Sequence, residues 1–134
     1  RGVWLTDNII CVSGRPEHLA RRVADWLKKE ARTHILKTAH YKALQLGRDF
    51  GRVTIRDTKS RWGSCTANGN LNFSWRLILT PDFVFDYVVS HEVAHLCEHN
   101  HGSEFWRLVH SLTSEPERAC AWLNSSGMAL HCYG

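Results

Sequence analysis

The chain has 134 residues, 43% of them hydrophobic and 22% charged, with a formal net charge of +4. That is the balance of a soluble globular chain, long enough for one domain with a real core and too short for two comfortable ones. No apolar run approaches the roughly 18 residues of a membrane span and no secretory signal is visible at the start; a cytoplasmic protein without a membrane-spanning helix is expected.

Residue 1 is Arg, not Met, so the chain reads as a fragment or processed form. Its five cysteines, Cys11, Cys65, Cys97, Cys120 and Cys132, are odd in number, irregularly spaced and without a C-x-x-C pair. Reduced thiols are expected rather than a disulfide framework. Charge is uneven along the chain. Residues 1–61 carry 14 Lys/Arg against 6 Asp/Glu, and residues 62–134 carry 3 against 7. A basic first half can face nucleic acid or an acidic substrate, but no compact Lys/Arg run or nucleic-acid motif supports this, and a solvated helix face is the simpler explanation.

Residues 1–14 look irregular or strand-like and end at Gly14. From Pro16 to about Leu46 the pattern is helical, with Leu19, Val23, Trp26, Leu27, Leu36, Leu44 and Leu46 at helical spacing and Gly47 as the stop. The length suggests two helices or a kink near Thr33-His34. Val53 to Arg56 alternates as a strand. Arg61 to Cys65 and Leu71 to Trp75 flank Asn68-Gly69, a hairpin signal. Leu71, Phe73 and Trp75 share one face, and Leu77-Ile78-Leu79 extends that strand. Thr80-Pro81-Asp82 reads as a helix start, with Thr80 capping and Asp82 complementing the dipole. Phe83, Val84, Tyr87, Val88, Ala94 and Leu96 give that helix its apolar surface, to an end near Cys97. Ser103 can cap a further helix with Phe105, Trp106, Val109 and Leu112 inward. A last short helix runs from Glu115 to Asn124, and residues 125–134 form a loose tail. The predicted class is α+β, in one catalytic domain spanning 1–134.

The segment from His91 to His95 reads H-E-x-x-H. On a helix its two histidines fall about 40° apart on one face, one turn apart, so both imidazoles can share one zinc ion. Glu92 then stands beside the metal as a general base. The third ligand has to come from another direction, after the chain turns. His99 would lie on the same face if the helix continued. Asn100 and Gly102 allow a turn around His101, which is therefore preferred. Glu98 and Glu104 are weaker carboxylate candidates. Three protein ligands leave the fourth position for water, the pattern of a catalytic site and of a peptide-bond hydrolase. Arg61, Asn72 and Tyr87 are candidate oxyanion donors, each with an ordinary structural role as the competing explanation. A small sheet precedes the metal helix, and its edge can take an extended peptide as an added strand.

Arg61-Trp62-Gly63-Ser64-Cys65, Trp75 to Leu79, Asp86 to Val89, His91 to His101 and Phe105-Trp106 closely resemble the YgjP-like metallopeptidase family, over most of residues 20–123. The resemblance implies a zincin-like fold, one zinc held by His91, His95 and His101, Glu92 as the catalytic acid, and a peptide or protein substrate. Val93 stands where the family usually has Leu, Gly102 where it has Ser, and much of its usual N-terminal segment is absent.

Two other functions compete. One is a non-catalytic or latent zinc-binding module, its fourth position closed by a thiolate from Cys65 or Cys97. The other is a nucleic-acid-associated protease using the basic half. The histidine spacing also suits the metzincins, and Ser126 to Ala129 faintly resembles their methionine turn. However, they have Gly at the Glu98 position and lack the Arg61–Cys65 segment. The six tryptophans mostly fall on predicted core faces; Trp62 stands out because its strand borders the site.

Overall fold

The structure is a computed structural model that describes residues 3–6, 9–12, 15, 18–58 and 60–126. Val3–Thr6 (β1) and Ile9–Val12 (β2) pair antiparallel, with Val3 opposite Val12 and Thr6 opposite Ile9. The strand-like opening is thus a hairpin, and the expected stop at Gly14 lies outside the described residues.

Leu19–Leu46 (α1) is one unbroken helix, not two. Nothing at Thr33-His34 interrupts it, because the segment holds no Pro or Gly. The Thr33 hydroxyl donates back to the Lys29 carbonyl at 3.1 Å, within the helix. Its core stripe is Ala31, Ile35, Ala39 and Ala43, all buried at a spacing of four. Leu19 and Leu44 are exposed instead. The leucine pattern overlooked alanines, whose small side chains let this helix approach its neighbours closely. Gly47 ends it in the left-handed conformation (φ 65°), as expected of a glycine stop, and Arg48 N–H bonds the Ala43 carbonyl.

Val53–Arg56 (β3), Gly63–Cys65 (β4) and Leu71–Ser74 (β5) form a sheet in the order β3-β5-β4. β5 lies in the middle, parallel to β3 and antiparallel to β4. The hairpin is where Asn68-Gly69 placed it, but its loop spans residues 66–70 rather than two. Gly69 adopts φ 84° and its N–H bonds the Thr66 carbonyl at 3.0 Å. Leu71 and Phe73 face the core as expected.

Trp75 to Leu79 corrects the extended-strand expectation: it is a 3₁₀ turn. The Ser74 hydroxyl caps it by accepting Arg76 N–H at 3.2 Å. Asp57 accepts hydrogen bonds from both the Trp75 indole and the Arg76 guanidinium, which pulls the chain out of the strand.

Asp82–Ala94 (α2) follows. Pro81, not Thr80, is its N-cap, and the Thr80 hydroxyl donates to the Leu77 carbonyl at 2.7 Å instead. The α-helix ends at Ala94, earlier than the expected Cys97. His95, Leu96 and Cys97 continue it as a tighter turn, each N–H bonded three residues back. Val84, Val88, Val89, Val93 and Ala94 are fully buried, and α2 packs on α1, β4, Ser103–Leu112 (α3) and Pro116–Ser126 (α4). The N-cap of α3 is Gly102 rather than the expected Ser103. Helix α4 runs two residues past Asn124, so it takes in the first part of the expected tail; residues 127–134 lie outside the described residues. No helix among the described residues is long and apolar enough to cross a membrane.

Candidate metal centre

The end of α2 carries His91 and Glu92, and the tight turn after it carries His95. Burial on all sides holds them: His91 is 3%, Glu92 2% and His95 9% exposed. The turn then redirects the chain, so His101, just before α3, comes back to them. One ring nitrogen from each of His91, His95 and His101 lies within 4.8 Å of the other two. Among the described residues, no cysteine or carboxylate belongs to that cluster.

The geometry gives the rings defined roles. His95 Nδ1 lies 3.0 Å from the Glu98 carbonyl. A carbonyl only accepts, so Nδ1 carries the proton and Nε2 presents its lone pair. That lone pair points at His101 Nε2, 3.1 Å away. Burial pushes His95 below its ordinary pKa, against the pull of the Glu92 charge, and so favours the neutral form that can act as a donor. His91 Nδ1 lies 3.3 Å from Glu92 Oε2, which puts the carboxylate at the edge of the cluster.

Phe105 is the part of the site that sequence reasoning missed. It was assigned only to the inward face of α3. Its fully buried ring lies 5.0 Å from His91, stacks on His95 at 4.4 Å and meets His101 edge-on at 4.9 Å. It is the apolar floor that restricts all three imidazoles. The adjacent Trp106 donates its indole N–H to the His101 carbonyl at 3.1 Å. The sequence signal was available: Phe105 follows His101 by four residues, in the first turn of the helix that follows it.

A cleft of about 750 Å³ opens over the cluster. One wall is His91, Glu92, His95, His99 and His101; the other is Arg61 and the β4 side, through Gly63, Ser64 and Cys65 to Ala67. β4 is a sheet edge, and Gly63 lies against the catalytic candidate. A Cβ at Gly63 would stand 3.0 Å from Glu92 Cγ.

The remaining candidates separate clearly. His99 lines the cleft but stays exposed and outside the cluster. Glu98 contributes its carbonyl and not its carboxylate, and Glu104 pairs with Arg107. Of the three oxyanion candidates, Arg61 lines the cleft. Tyr87 is fully buried with its hydroxyl against Cys120, and Asn72 accepts from Arg56 at 3.0 Å in a neighbouring recess. Cys65 faces the cleft, and burial, reinforced by the Glu92 charge, pushes its thiol up to about 11. Cys97 is half-buried and outside the cleft lining. Trp62, just before β4, is buried against Trp122 and does not line the cleft.

A family model described as YgjP-like, metallopeptidase domain, matches residues 4–126. Among solved structures, the crystal structure of the metallopeptidase zymogen of Pyrococcus abyssi abylysin is similar to this chain. It has 22% sequence identity and a TM-score of 0.56, over 67% of this chain and 95% of that one. That likeness shows an α+β, zincin-like fold. No curated protein matches the chain.

Proposed function

The chain belongs to the YgjP-like metallopeptidase family, and on that footing we propose that it is a zinc-dependent peptidase with His91, His95 and His101 as ligands and Glu92 as general base. The observation that carries this reading is the convergence of three imidazoles beside a buried carboxylate.

The donor set fits zinc. Two imidazoles on one tetrahedral zinc, at about 2.05 Å each, stand about 3.3 Å apart, close to the 3.1 Å between His95 and His101. Neutral nitrogen donors suit a borderline metal, and the Glu98 carbonyl fixes the His95 ring as outer partners of zinc ligands do. When bound, zinc supplies Lewis-acid chemistry, polarising a peptide carbonyl and making water nucleophilic near neutral pH.

The protein's own groups do the rest. The β4 edge takes the substrate as an extended strand, aligning the scissile carbonyl along the cleft. The Glu92 carboxylate accepts the proton from the attacking water and passes it to the departing amine nitrogen. Glu92 and His91 are almost fully buried, so the charge of the carboxylate is weakly screened. The latent-module alternative receives little support, because no cysteine of the described residues joins the cluster.

The test is Glu92→Gln. Peptide hydrolysis should fall by about 10²- to 10⁴-fold, the usual contribution of a general base, while about one zinc per chain is retained. Unchanged hydrolysis in that variant refutes the assignment.

A further inference from the structure

Among the described residues that line the cleft, Arg61 is the one permanently charged cation and Glu92 the one carboxylate. Its side chain is exposed, and no carboxylate among the described residues lies within ion-pair distance of it. Its backbone is held in place, because the Thr58 hydroxyl donates to the Arg61 carbonyl at 3.0 Å.

A second recess shares Arg61, Gly63 and Ser64 with the cleft and adds Arg56. Arg56 is exposed and donates its Nε to Asn72. Asp57, next in the chain, is already engaged by Arg76 and Trp75 and does not neutralise either arginine. The approach to β4 thus carries two arginines, neither in an ion pair with a carboxylate of the described residues.

Arg61 lies just before β4, two residues ahead of Gly63, and Gly63 packs against Glu92. Both Arg61 and Gly63 line the cleft, and two residues of chain reach at most about 7 Å. A substrate strand added to β4 therefore presents one side chain near the reacting bond and another, two residues away, to Arg61.

We propose that Arg61, backed by Arg56, is a specificity-determining anion subsite that takes a substrate carboxylate about two residues from the scissile bond. This rests on the peptidase reading above. The carboxylate comes from an Asp or Glu side chain or from the end of the substrate chain. Guanidinium suits either, since its planar fork can donate two parallel hydrogen bonds to one carboxylate.

The experiment uses short acetylated peptides carrying Asp, Ala or Lys two residues to either side of a central bond, each with a free or an amidated C-terminus. Binding is measured on zinc-loaded Glu92→Gln, and kcat and KM on the unsubstituted enzyme. The expected result is that one Asp peptide binds roughly tenfold more tightly than its Ala counterpart and the Lys peptide less tightly than either. The gain should appear in KM and shrink as salt rises. Adding Arg61→Gln should abolish the difference, and Arg61→Lys should keep part of it. A gain that follows the free C-terminus and not the Asp identifies the chain end as the source. Equal binding of Asp, Ala and Lys peptides and of both termini, at low salt, overturns the subsite without any variant. Preference that survives Arg61→Gln also overturns it. Tight binding of acidic peptides with no hydrolysis of any peptide would sink the peptidase reading alone, because binding is read separately from turnover.

Discussion

Gly63→Ala should damage catalysis by crowding rather than by removing a functional group. The added Cβ would sit 3.0 Å from Glu92 Cγ, 3.1 Å from Phe73 Cδ1 and 3.2 Å from the Asn72 carbonyl oxygen. Carbon atoms pack best at about 3.5–4.0 Å, so both carbon contacts fall short by roughly half an ångström. Neither of the other neighbours can retreat. Phe73 is buried in the core, and Asn72 lies on the central strand, paired on both sides. Relief must come from Glu92 or from β4 moving away as a unit, and both change the distance between carboxylate and substrate edge. Overpacking of this kind costs about 1–3 kcal/mol of stability, and misplacement by about 1 Å can cost about 10²-fold in rate. The assay is kcat on a cleaved peptide, with zinc content and a urea unfolding curve on the same preparation. The expected result is a roughly 10- to 100-fold lower kcat with zinc content unchanged, since no histidine is touched. Gly102→Ala is the control. Its Cβ would meet nothing within 4 Å, so it brings no crowding and should cost only the cap preference of α3, about 1 kcal/mol. If Gly63→Ala leaves both kcat and stability unaltered, the claim that β4 sets the position of Glu92 is refuted.

Lys42→Met should destabilise the fold by about 1–3 kcal/mol, read as a lower urea midpoint at pH 7. The Lys42 ammonium is buried, donates to the Leu112 carbonyl at the end of α3 and stands 2.9 Å from Asp86, to which Thr113 also donates. Asp86 is 37% exposed, so water takes up part of its lost pairing and the cost stays below that of a fully buried pair; a midpoint equal to that of the unsubstituted protein contradicts this role. In the metal-free protein, alkylation of Cys65 should rise with a midpoint near 11 rather than at the ordinary 9.0. Because the folded-state pKa is raised, the associated stability is complete below pH 9.0 and is lost as pH climbs toward 11. A midpoint at or below 9.0, in a background lacking the other cysteines, would show the thiol to be more exposed than the cleft geometry implies.

His91, Glu92 and His95 were legible in the sequence because their relation is local: a helical spacing alone brings them to one place. The same is true of Asn68-Gly69, where backbone conformation marks a hairpin, and of Gly47, where it marks a helix end. The misreadings share a cause. Leu77 to Leu79 looks like strand because apolar residues run together, yet Asp57, almost twenty residues earlier, captures Trp75 and Arg76 and winds the segment into a turn. The core stripe of α1 was hidden because alanines carry almost no hydropathy signal, although their smallness is what allows close packing. The choice of His101 over His99 rested on where the chain was free to turn, and the folded chain brings His101 to 3.1 Å from His95.

Sequence alone determined the chemistry on offer: imidazoles at helical spacing, a carboxylate beside them, and a strand hairpin ahead of them. Tertiary structure decided what surrounds that chemistry. It put Phe105 beneath all three rings, pressed Gly63 against Glu92 and set Arg61 at the cleft wall while it buried Tyr87. Local periodicity depends on a few torsions, whereas these contacts join segments separated along the chain. Their distances are settled only when the whole core closes around α2.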